Sequence, residues 1–276
     1  MVRYCVLGSG SSGNSYVFQH GTEAILVDNG FSRVELKRRL AGEGFDFDAL
    51  KAVFVTHLHP DHSKGVGTLA RMDGLPVYVS RRCFQLCGDN EYARLGIPVD
   101  CRMFLDEGET CQLGAFSVSG FSTCHDSGGS MGYCIQCDGF CFTIVTDTGC
   151  YDEAMIECAR HSDVLFLESN YDRKMLDEGP YPFFLKKRIS GTRGHLSNDQ
   201  AEQFLHQCGI FESNTEEINS ELCYNPLKSR MSRVFLVHLS DTNNSVSLLQ
   251  RRFRWMGDLL TVCPKGNSES GCIGES

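Results

Sequence analysis

Short apolar runs, many of them rich in β-branched residues, recur along the chain between Gly, Asp, Asn and Ser residues. Runs of this length and composition are typical of β-strands, and the residues around them are typical of turns. The pattern extends from residue 4 to residue 237, so β-structure is expected along most of the chain. The predicted strands are Tyr4–Leu7, Ser15–Phe18, Ala24–Val27, Ala52–Val55, Val77–Val79, Phe116–Val118, Phe142–Val145, Val164–Leu167 and Val234–Val237.

Helical segments are predicted between these strands. Two of them follow a capping-box sequence, Ser32-Arg33-Val34-Glu35 and Ser197-Asn198-Asp199-Gln200, whose side chains satisfy free backbone amides at a helix start. Meandering strands come first and helices are inserted later, which favours an α+β sandwich of two sheets flanked by helices. The predicted helices lie near residues 33–42, 64–73, 151–160, 198–208 and 245–255.

Two segments differ in composition from the rest of the chain. Glu212–Arg230 is polar and lacks periodicity, which predicts a surface insertion at about 212–230. The stretch from Pro264 is rich in Gly and Ser, which predicts a mobile C-terminal tail over residues 264–276. We therefore expect a single domain over residues 1–263, a size at which one core can bury most of the chain.

Composition and charge limit the function classes. The chain is 41% hydrophobic and 22% charged, as in globular proteins, and no run of about 18 apolar residues would span a membrane. No apolar signal stretch follows Met1, and the fifteen cysteines are odd in number, so we expect reduced thiols and a cytoplasmic location. With a net charge of −9, a nucleic-acid substrate would need a local basic patch. The oligomeric state stays open.

One motif carries metal-binding chemistry: Thr56-His57-Leu58-His59-Pro60-Asp61-His62, directly after a predicted strand. Residues two apart on extended backbone project to the same side, so His57 and His59 can share one metal. The following turn directs Asp61 and His62 towards a second metal. Imidazole and carboxylate together favour zinc, manganese or iron over calcium and magnesium, which prefer all-oxygen shells. The motif therefore predicts two divalent transition-metal ions.

Four side chains cannot complete two metal sites, so further ligands are expected where strands end and a rigid sheet directs them. His125, Asp147 and His238 each follow an apolar run in this way. Each of the three could instead be an ordinary turn or cap residue, and that alternative stays open at this point.

The His-x-His-x-Asp-His pattern, together with the upstream segment Leu26-Val27-Asp28-Asn29-Gly30, resembles the metallo-β-lactamase superfamily. The resemblance covers nearly the whole chain. It implies a four-layer αββα sandwich, in which two mixed sheets are flanked by helices and the metals lie at the open edge between the sheets. It also implies that Asp28 supports the ligands from behind. The ligands it implies are His57, His59 and His125 for one metal, Asp61, His62 and His238 for the other, and Asp147 as a bridge.

Shorter segments are similar to one group of that superfamily, the YycJ (WalJ) group, which is related to ribonucleases Z and J and is described as DNA exonuclease-like. The similarity implies that His195, a histidine just before a helix, protonates the leaving group or binds phosphate. The segments are Ser9–Asn14, Leu167–Asp172, Tyr181-Pro182, Gly194–Asn198 and His238–Asn244.

The resemblance predicts a dinuclear metal-dependent phosphodiesterase that acts on DNA. The leading form of this prediction is a 5′-to-3′ exonuclease that uses a hydroxide between the metals. His195 and Asp61 are the catalytic candidates. The fold also hosts other chemistries, so a hydrolase of cyclic or small phosphodiesters, thioesters or lactones stays open. A non-catalytic metal or redox module is the third alternative.

The substrate contacts predicted for DNA lie in three segments. A Gly/Ser turn and a predicted helix start suit phosphate, and a basic run beside Phe183 and Phe184 suits phosphates and stacked bases. The candidate contact residues are Ser11, Asn14, Lys186, Lys187, Arg188, Ser240, Asn243 and Asn244.

Overall fold

The computed structural model describes residues 1–86, 94–210 and 230–274. Each strand and helix predicted from the apolar pattern is present, although several bounds differ by a few residues. The strands are β1 (Val2–Gly8), β2 (Ser15–His20), β3 (Glu23–Val27), β4 (Leu50–Phe54), β5 (Val77–Val79), β6 (Arg102–Phe104), β7 (Thr110–Leu113), β8 (Phe116–Ser122), β9 (Met131–Cys137), β10 (Phe140–Val145), β11 (Val164–Glu168), β12 (Arg233–Val237), β13 (Leu260–Val262) and β14 (Glu269–Ile273). The helices are α1 (Arg33–Gly42), α2 (Pro60–Ser63), α3 (Val66–Asp73), α4 (Arg81–Leu86), α5 (Glu153–Arg160), α6 (Arg173–Glu178), α7 (Phe183–Ile189), α8 (Asn198–Gln207) and α9 (Val246–Arg252).

The strands form two mixed sheets that share one plan. The first has the order β14-β1-β2-β3-β4-β5-β6, and the second has the order β13-β12-β11-β10-β9-β8-β7. Pairing is antiparallel from β14 to β3 and from β7 to β10, and it is parallel from β3 to β6 and from β10 to β13. Parallel strands end at the same edge of a sheet, so the loops that follow β10, β11 and β12 meet there.

The two sheets pack face to face through large apolar side chains. Along β1, alternate residues point to opposite faces, so Val6 joins the core between the sheets and Leu7 joins the core under the helices. Aromatic rings fill the space between the sheets, and Phe18 and Phe142 lie 5.2 Å apart between ring centroids. This central core holds the two sheet edges in a fixed relation.

Helices cover the outer face of each sheet. Leu36 and Leu40 of α1 pack in the core on the first sheet, whereas Met155 of α5, Phe204 of α8 and Leu249 of α9 pack on the second. The layers are therefore helix, sheet, sheet and helix, and the predicted αββα sandwich is confirmed.

The two predicted capping boxes differ. At α8, Ser197 and Gln200 form the complete reciprocal pair. At α1, the hydroxyl of Ser32 accepts a hydrogen bond from the amide of Glu35 at 3.2 Å, but the Glu35 carboxylate binds Arg39 at 2.7 Å instead of returning to the cap. An arginine one turn further along outcompetes the backbone amide for that carboxylate.

The prediction of a mobile tail is wrong for part of residues 264–276. Strand β14 pairs antiparallel with β1, and Val2 faces Ile273 while Val6 faces Glu269. Its sequence, Glu-Ser-Gly-Cys-Ile, has little strand propensity of its own. The strand forms because the open edge of β1 offers unpaired backbone groups.

Other predictions about organisation stay predictions. The insertion predicted at about 212–230 lies outside the described residues, apart from Arg230. Within the described ranges, no helix combines the length and apolar character that crossing a bilayer requires. The single domain over residues 1–263 and the cytoplasmic location likewise stay predictions.

Candidate metal centre

The seven predicted metal ligands converge at one edge of the sandwich. The motif with four of them follows β4, and the other three follow β8, β10 and β12. Their ligand atoms form overlapping groups in which all atoms lie within 4.8 Å of one another. Strand ends from both sheets therefore direct these side chains into a common space.

The first cluster consists of His57, His59 and His125. The Nδ1 atom of His59 lies 3.0 Å from Nε2 of His57 and 3.2 Å from Nε2 of His125. Four ligands bound tetrahedrally at 2.0–2.1 Å from a zinc ion are about 3.3 Å apart. The three nitrogens are thus spaced as ligands of one small cation would be.

The second cluster consists of Asp61, His62 and His238. The Oδ2 atom of Asp61 lies 3.6 Å from Nε2 of His62 and 3.7 Å from Nε2 of His238. The Nε2 atom of His238 is buried and has no hydrogen-bond partner among the described residues. A buried nitrogen left in this way costs free energy, and a cation shared with Asp61 and His62 would satisfy it. The donor set therefore fits a divalent metal.

Asp147 lies between the two clusters and is nearly fully buried. Its Oδ2 atom lies 3.2 Å from Nε2 of His62 in the second cluster. Its Oδ1 atom lies 3.7 Å from Nε2 of His125 in the first cluster and 3.6 Å from Nε2 of His238. One carboxylate thus reaches both clusters, as a bridging ligand must.

Asp28 fixes the orientation of His62 from behind. Its Oδ1 atom accepts a hydrogen bond from the Thr56 amide at 2.8 Å, and its Oδ2 atom accepts one from Nδ1 of His62 at 2.7 Å. In the neutral ring of His62 the proton is held on Nδ1, which leaves Nε2 as an acceptor towards the cluster. This is the supporting position that the superfamily resemblance implies for Asp28.

Glu168 has the same kind of role and was not among the predicted site residues. It is fully buried at the end of β11, where Oε1 lies 3.1 Å from Nδ1 of His238 and 2.7 Å from Nδ1 of His195. Its other oxygen accepts hydrogen bonds from the amides of Thr148 and Leu196. The signal that points to it is the one used for Asp147: an acidic residue that directly ends a buried apolar strand.

The histidines of the first cluster are held in the neutral state. Burial lowers the pKa of His57, of His59 and of His125, since a charged imidazolium is poorly solvated there. Their partners do not reverse this effect: Nδ1 of His57 faces the Thr56 hydroxyl at 3.0 Å, and Nδ1 of His125 faces the carbonyl of Gly194 at 3.0 Å.

The pKa values of the histidines in the second cluster are shifted in the opposite direction. Burial alone would lower the pKa of His62, but the charges of Asp147 and Asp28 outweigh it and raise the pKa to about 9. The pKa of His238 is also raised despite burial, by Asp147, Asp61 and Glu168. The nearby histidines in turn hold the pKa of Asp147 below its usual value, although burial works against them.

Backbone strain is concentrated at this centre. Among the described non-glycine residues, four have positive φ, and three of them are Asp28 (φ 60°), Asp147 (φ 54°) and His238 (φ 57°). The fourth, Asp138, lies in the turn between β9 and β10. Left-handed backbone is unfavourable for most L-residues and is found mainly where function or a turn requires it. The protein therefore holds these side chains in directions that relaxed backbone would not give.

A cavity of about 290 Å³ lies over the two clusters. Its wall includes Asp61, Asp147 and His238 from the centre, and His195 beside them. Because Nδ1 of His195 is engaged by Glu168, its Nε2 atom is the nitrogen left for a ligand in the cavity. The cavity is thus an open site with a metal-ligand set on its floor and a positioned imidazole on its wall.

Only part of the predicted substrate contacts line this cavity. Ser11, Arg188 and Ser240 do, and the guanidinium of Arg188 is held by Asp126 at 2.5 Å. Of the other two residues of the basic run, Lys187 is exposed, and Lys186 donates a hydrogen bond to a backbone carbonyl.

The side chains of the three candidate asparagines are buried and bind the protein itself. The phosphate contacts expected in these segments come from backbone amides, so they stay predictions. Asn14 donates a hydrogen bond to Oδ2 of Asp61 at 3.2 Å, and Asn243 donates one to the Ser240 hydroxyl. Asn244 donates one to the carbonyl of Ser169 at 2.8 Å. The helix expected to start in this segment begins later, at α9, and these amides brace the loops around the cavity instead.

The fold and the ligand set define a class of metallohydrolase, and comparison with known proteins agrees. A family model described as "Beta-lactamase superfamily domain" matches residues 23–213. The chain belongs to the metallo-β-lactamase superfamily and is a hydrolase of that fold. The predicted membership is confirmed.

Two relatives and one solved structure are similar to this protein over most of its chain. Exodeoxyribonuclease WalJ of Streptococcus pneumoniae serotype 2 is 31% identical over 244 residues, which cover 88% of this chain and 83% of that protein. Exodeoxyribonuclease YycJ of Bacillus anthracis is 29% identical over 247 residues, which cover 90% and 86%. The crystal structure of the metallo-β-lactamase fold protein YhfI from Bacillus subtilis aligns with a TM-score of 0.66 at 16% identity, over 98% of this chain and 99% of that one. The predicted similarity to the YycJ (WalJ) group is confirmed.

Proposed function

We propose that the protein is a dinuclear metal-dependent phosphodiesterase that degrades DNA as a 5′-to-3′ exonuclease. The observation that carries the proposal is the pair of ligand clusters joined by Asp147 beneath a cavity that also presents His195. The relatives named as exodeoxyribonucleases support DNA as the substrate. Zinc or manganese fits the mixed imidazole and carboxylate ligands, and iron is a further candidate.

The residues proposed to hold the two metals are those of the two clusters. Bound metals would supply a hydroxide at neutral pH and positive charge to offset the charge that develops on phosphate. The chain's own part is to fix the ligands: Asp28 and Glu168 hold the rings of His62 and His238, and Asp147 sets the separation of the two clusters.

His195 is proposed to protonate the leaving oxygen. Glu168 accepts a hydrogen bond from Nδ1, which orients the ring. A proton on Nε2 then faces the cavity, where an alkoxide would need it. Asp61, whose carboxylate lines the same cavity, is the second catalytic candidate.

The first experiment joins metal analysis to a cleavage panel. The purified protein is analysed for bound metal and incubated with end-labelled single-stranded and duplex DNA, RNA, cyclic nucleotides, a thioester and a lactone. We expect two metal equivalents and stepwise release of nucleotides from the 5′ end of DNA. Turnover of only small substrates would support the small-substrate hydrolase instead, and metal binding without turnover would support the non-catalytic module.

A second experiment tests the proton donor. His195→Ala should lower the kcat for DNA on the order of 100-fold, because general-acid catalysis is lost, while both metal equivalents remain bound. His161→Ala, which removes an exposed histidine at the end of α5, is the matched control. Full activity of the purified His195→Ala protein would exclude the proposed role.

A further inference from the structure

A second groove adjoins the metal cavity on the side of the first cluster. It has a volume of about 750 Å³ and lies between α4, residues 122–130 and residues 192–193. His125 and Asp126 line both the groove and the metal cavity, so the two spaces adjoin at these residues. A substrate that extends beyond the metal cavity therefore has a route into the groove.

The metal cavity by itself is too small for a polymer. Its volume of about 290 Å³ is at the lower end of the range for small-molecule sites, about 300–1,000 Å³. A space of this size suits one terminal nucleotide, so the remainder of a nucleic-acid strand must lie outside it. The groove is the larger of the two spaces and begins beside a metal ligand, His125.

The groove carries positive charge that the protein does not neutralise. Arg82 and Arg193 line it and are exposed, and within the described ranges neither forms an ion pair. Among the described lining residues Asp126 is the acidic one, and it is paired with Arg188 at 2.5 Å. Two unpaired arginines at one groove, in a chain whose net charge is −9, are a local site of attraction for an anion.

The positions of both arginines are tied to the segment around His125. The Nε atom of Arg193 donates a hydrogen bond to the carbonyl of His125 at 3.1 Å, which leaves the other guanidinium nitrogens for a ligand. Arg82 lies on α4, which packs so closely on the loop after His125 that a Cβ at Gly129 would lie 2.3 Å from the backbone nitrogen of Cys83. The fold therefore places two cations beside the metal centre.

We propose that this groove holds the phosphate backbone of the nucleic-acid strand next to the scissile phosphate, with Arg82 and Arg193 in contact with its phosphates. The inference rests on the proposed function and specifies how the substrate is held: as a polymer that extends from the metal cavity into the groove. Contacts to phosphate carry no sequence information, so the groove favours long substrates over small ones without selecting a sequence.

The test measures how DNA affinity depends on salt concentration. Arg82→Gln/Arg193→Gln removes both charges, and Arg82→Lys/Arg193→Lys keeps them. Arg82→Gln alone removes the arginine whose side chain makes no polar contact with the described residues. The probe is a fluorescent phosphorothioate DNA of about 20 nucleotides, which resists cleavage and is offered to the metal-loaded protein as a single strand and as a duplex between about 0.05 and 0.2 M salt.

The expected effects refer to the form of DNA that the wild type binds more tightly. At about 0.1 M salt, the double glutamine variant should bind at least about tenfold more weakly, because two phosphate contacts no longer release counterions. The slope of log affinity against log salt should fall by about two in this variant and by about one in Arg82→Gln. The lysine variant should keep the wild-type slope.

The matched control is Arg251→Gln/Arg254→Gln, which removes two exposed charges that line neither the groove nor the metal cavity. It should keep the wild-type slope. Metal content is measured for every variant, since Arg193 contacts the backbone of a metal ligand. If the double glutamine variant loses metal, Arg82→Gln alone decides the outcome.

Three results would overturn the groove. They are an unchanged slope in the glutamine variants, an equal loss of slope in the control or in the lysine variant, and the absence of DNA binding by the wild type. If the wild type binds DNA with the expected salt dependence but cleaves none, the proposed function fails and the groove is retained.

Discussion

The two ligand clusters lie side by side but are supported by different chemistry. In the first, His57 and His125 donate their Nδ1 protons to a hydroxyl and to a backbone carbonyl. In the second, the Nδ1 atoms of His62 and His238 face the buried carboxylates of Asp28 and Glu168. Burial keeps the imidazoles of the first cluster uncharged, whereas carboxylates raise the pKa of His62 and of His238 in the second.

This difference indicates that two neighbouring sites in one centre can bind metal with a different dependence on pH. Carboxylate partners raise the basicity of imidazole ligands and strengthen their bonds to a metal. They also stabilise the competing proton, so that the metal must displace it. We therefore expect the first cluster to load over a wide pH range and the second to depend on pH and on its carboxylates.

Removing a ligand from the first cluster should have the largest effect. His59→Ala should reduce the bound metal from two equivalents to one and lower hydrolysis by at least about 1,000-fold, since the proposed mechanism needs both metals for the hydroxide and for the charge on phosphate. Metal content by mass spectrometry and initial rates on DNA measure these effects. Loss of both metals at once would contradict two separable sites, and retained activity would contradict the role of the first cluster.

Removing a supporting charge should affect only the second cluster. In Asp28→Asn the amide tolerates the left-handed backbone, but its N–H group faces Nδ1 of His62 and favours the wrong tautomer. We expect metal affinity at the second site to fall about 10- to 100-fold.

Competition with a chromophoric chelator resolves the two sites. Asp73→Asn on α3, which removes a carboxylate paired with Arg33, is the control and should leave both affinities unchanged. An equal loss at both sites in Asp28→Asn would show that its support is not specific to His62.

The dependence of metal affinity on pH should be the smallest of the expected effects. The pKa of His62 is raised to about 9, so in the metal-free protein it carries a proton at pH 7 that metal must release. Affinity at the second site should therefore rise about tenfold per pH unit for each proton released, up to about pH 9, while the first site stays nearly constant above neutral pH. Calorimetry in buffers of different ionisation enthalpy counts the protons that are released when metal binds. If no proton is released at pH 7, the two clusters do not differ in the way proposed.

The raised pKa of His62 also determines how the stability of the metal-free protein changes with pH. A histidine whose folded pKa exceeds its unfolded value stabilises the folded chain below the unfolded pKa, near 6.5. That contribution is lost as the pH rises towards about 9. Metal-free protein should accordingly lose stability over this range, whereas metal-loaded protein should not.

Most of the fold was predictable because most of its longer strands are apolar enough to be recognised singly, although β9, with seven residues, was not among the predicted strands. Short strands such as β6 and β13 have only three residues each, and α6 and α7 have six and seven. Elements this short gain stability from the neighbours they pair or pack with rather than from their own propensity. Strand β14 is the extreme example, since its polar sequence becomes a strand only beside β1.

The site residues that could be predicted are those of a metal-ligand type that directly follow a predicted strand. His125, Asp147 and His238 follow strands whose ends meet at one edge, so their convergence with the motif could be expected. Glu168 has the same position but stands outside any histidine motif. Asn14 could not be assigned, because an amide serves equally well as a ligand contact or as a brace, and sequence does not reveal which way it points.

The pairing of β14 with β1 also affects how the protein associates with itself. Strand β1 is nearly entirely buried, and β14 occupies its otherwise free edge. A chain shortened before Glu269 would present a row of unsatisfied amides and carbonyls along an apolar strand, the arrangement that templates edge-to-edge aggregation. Strand β14 therefore works as a cover against intermolecular β-pairing, and an increase in light scattering after its removal would reveal that protection.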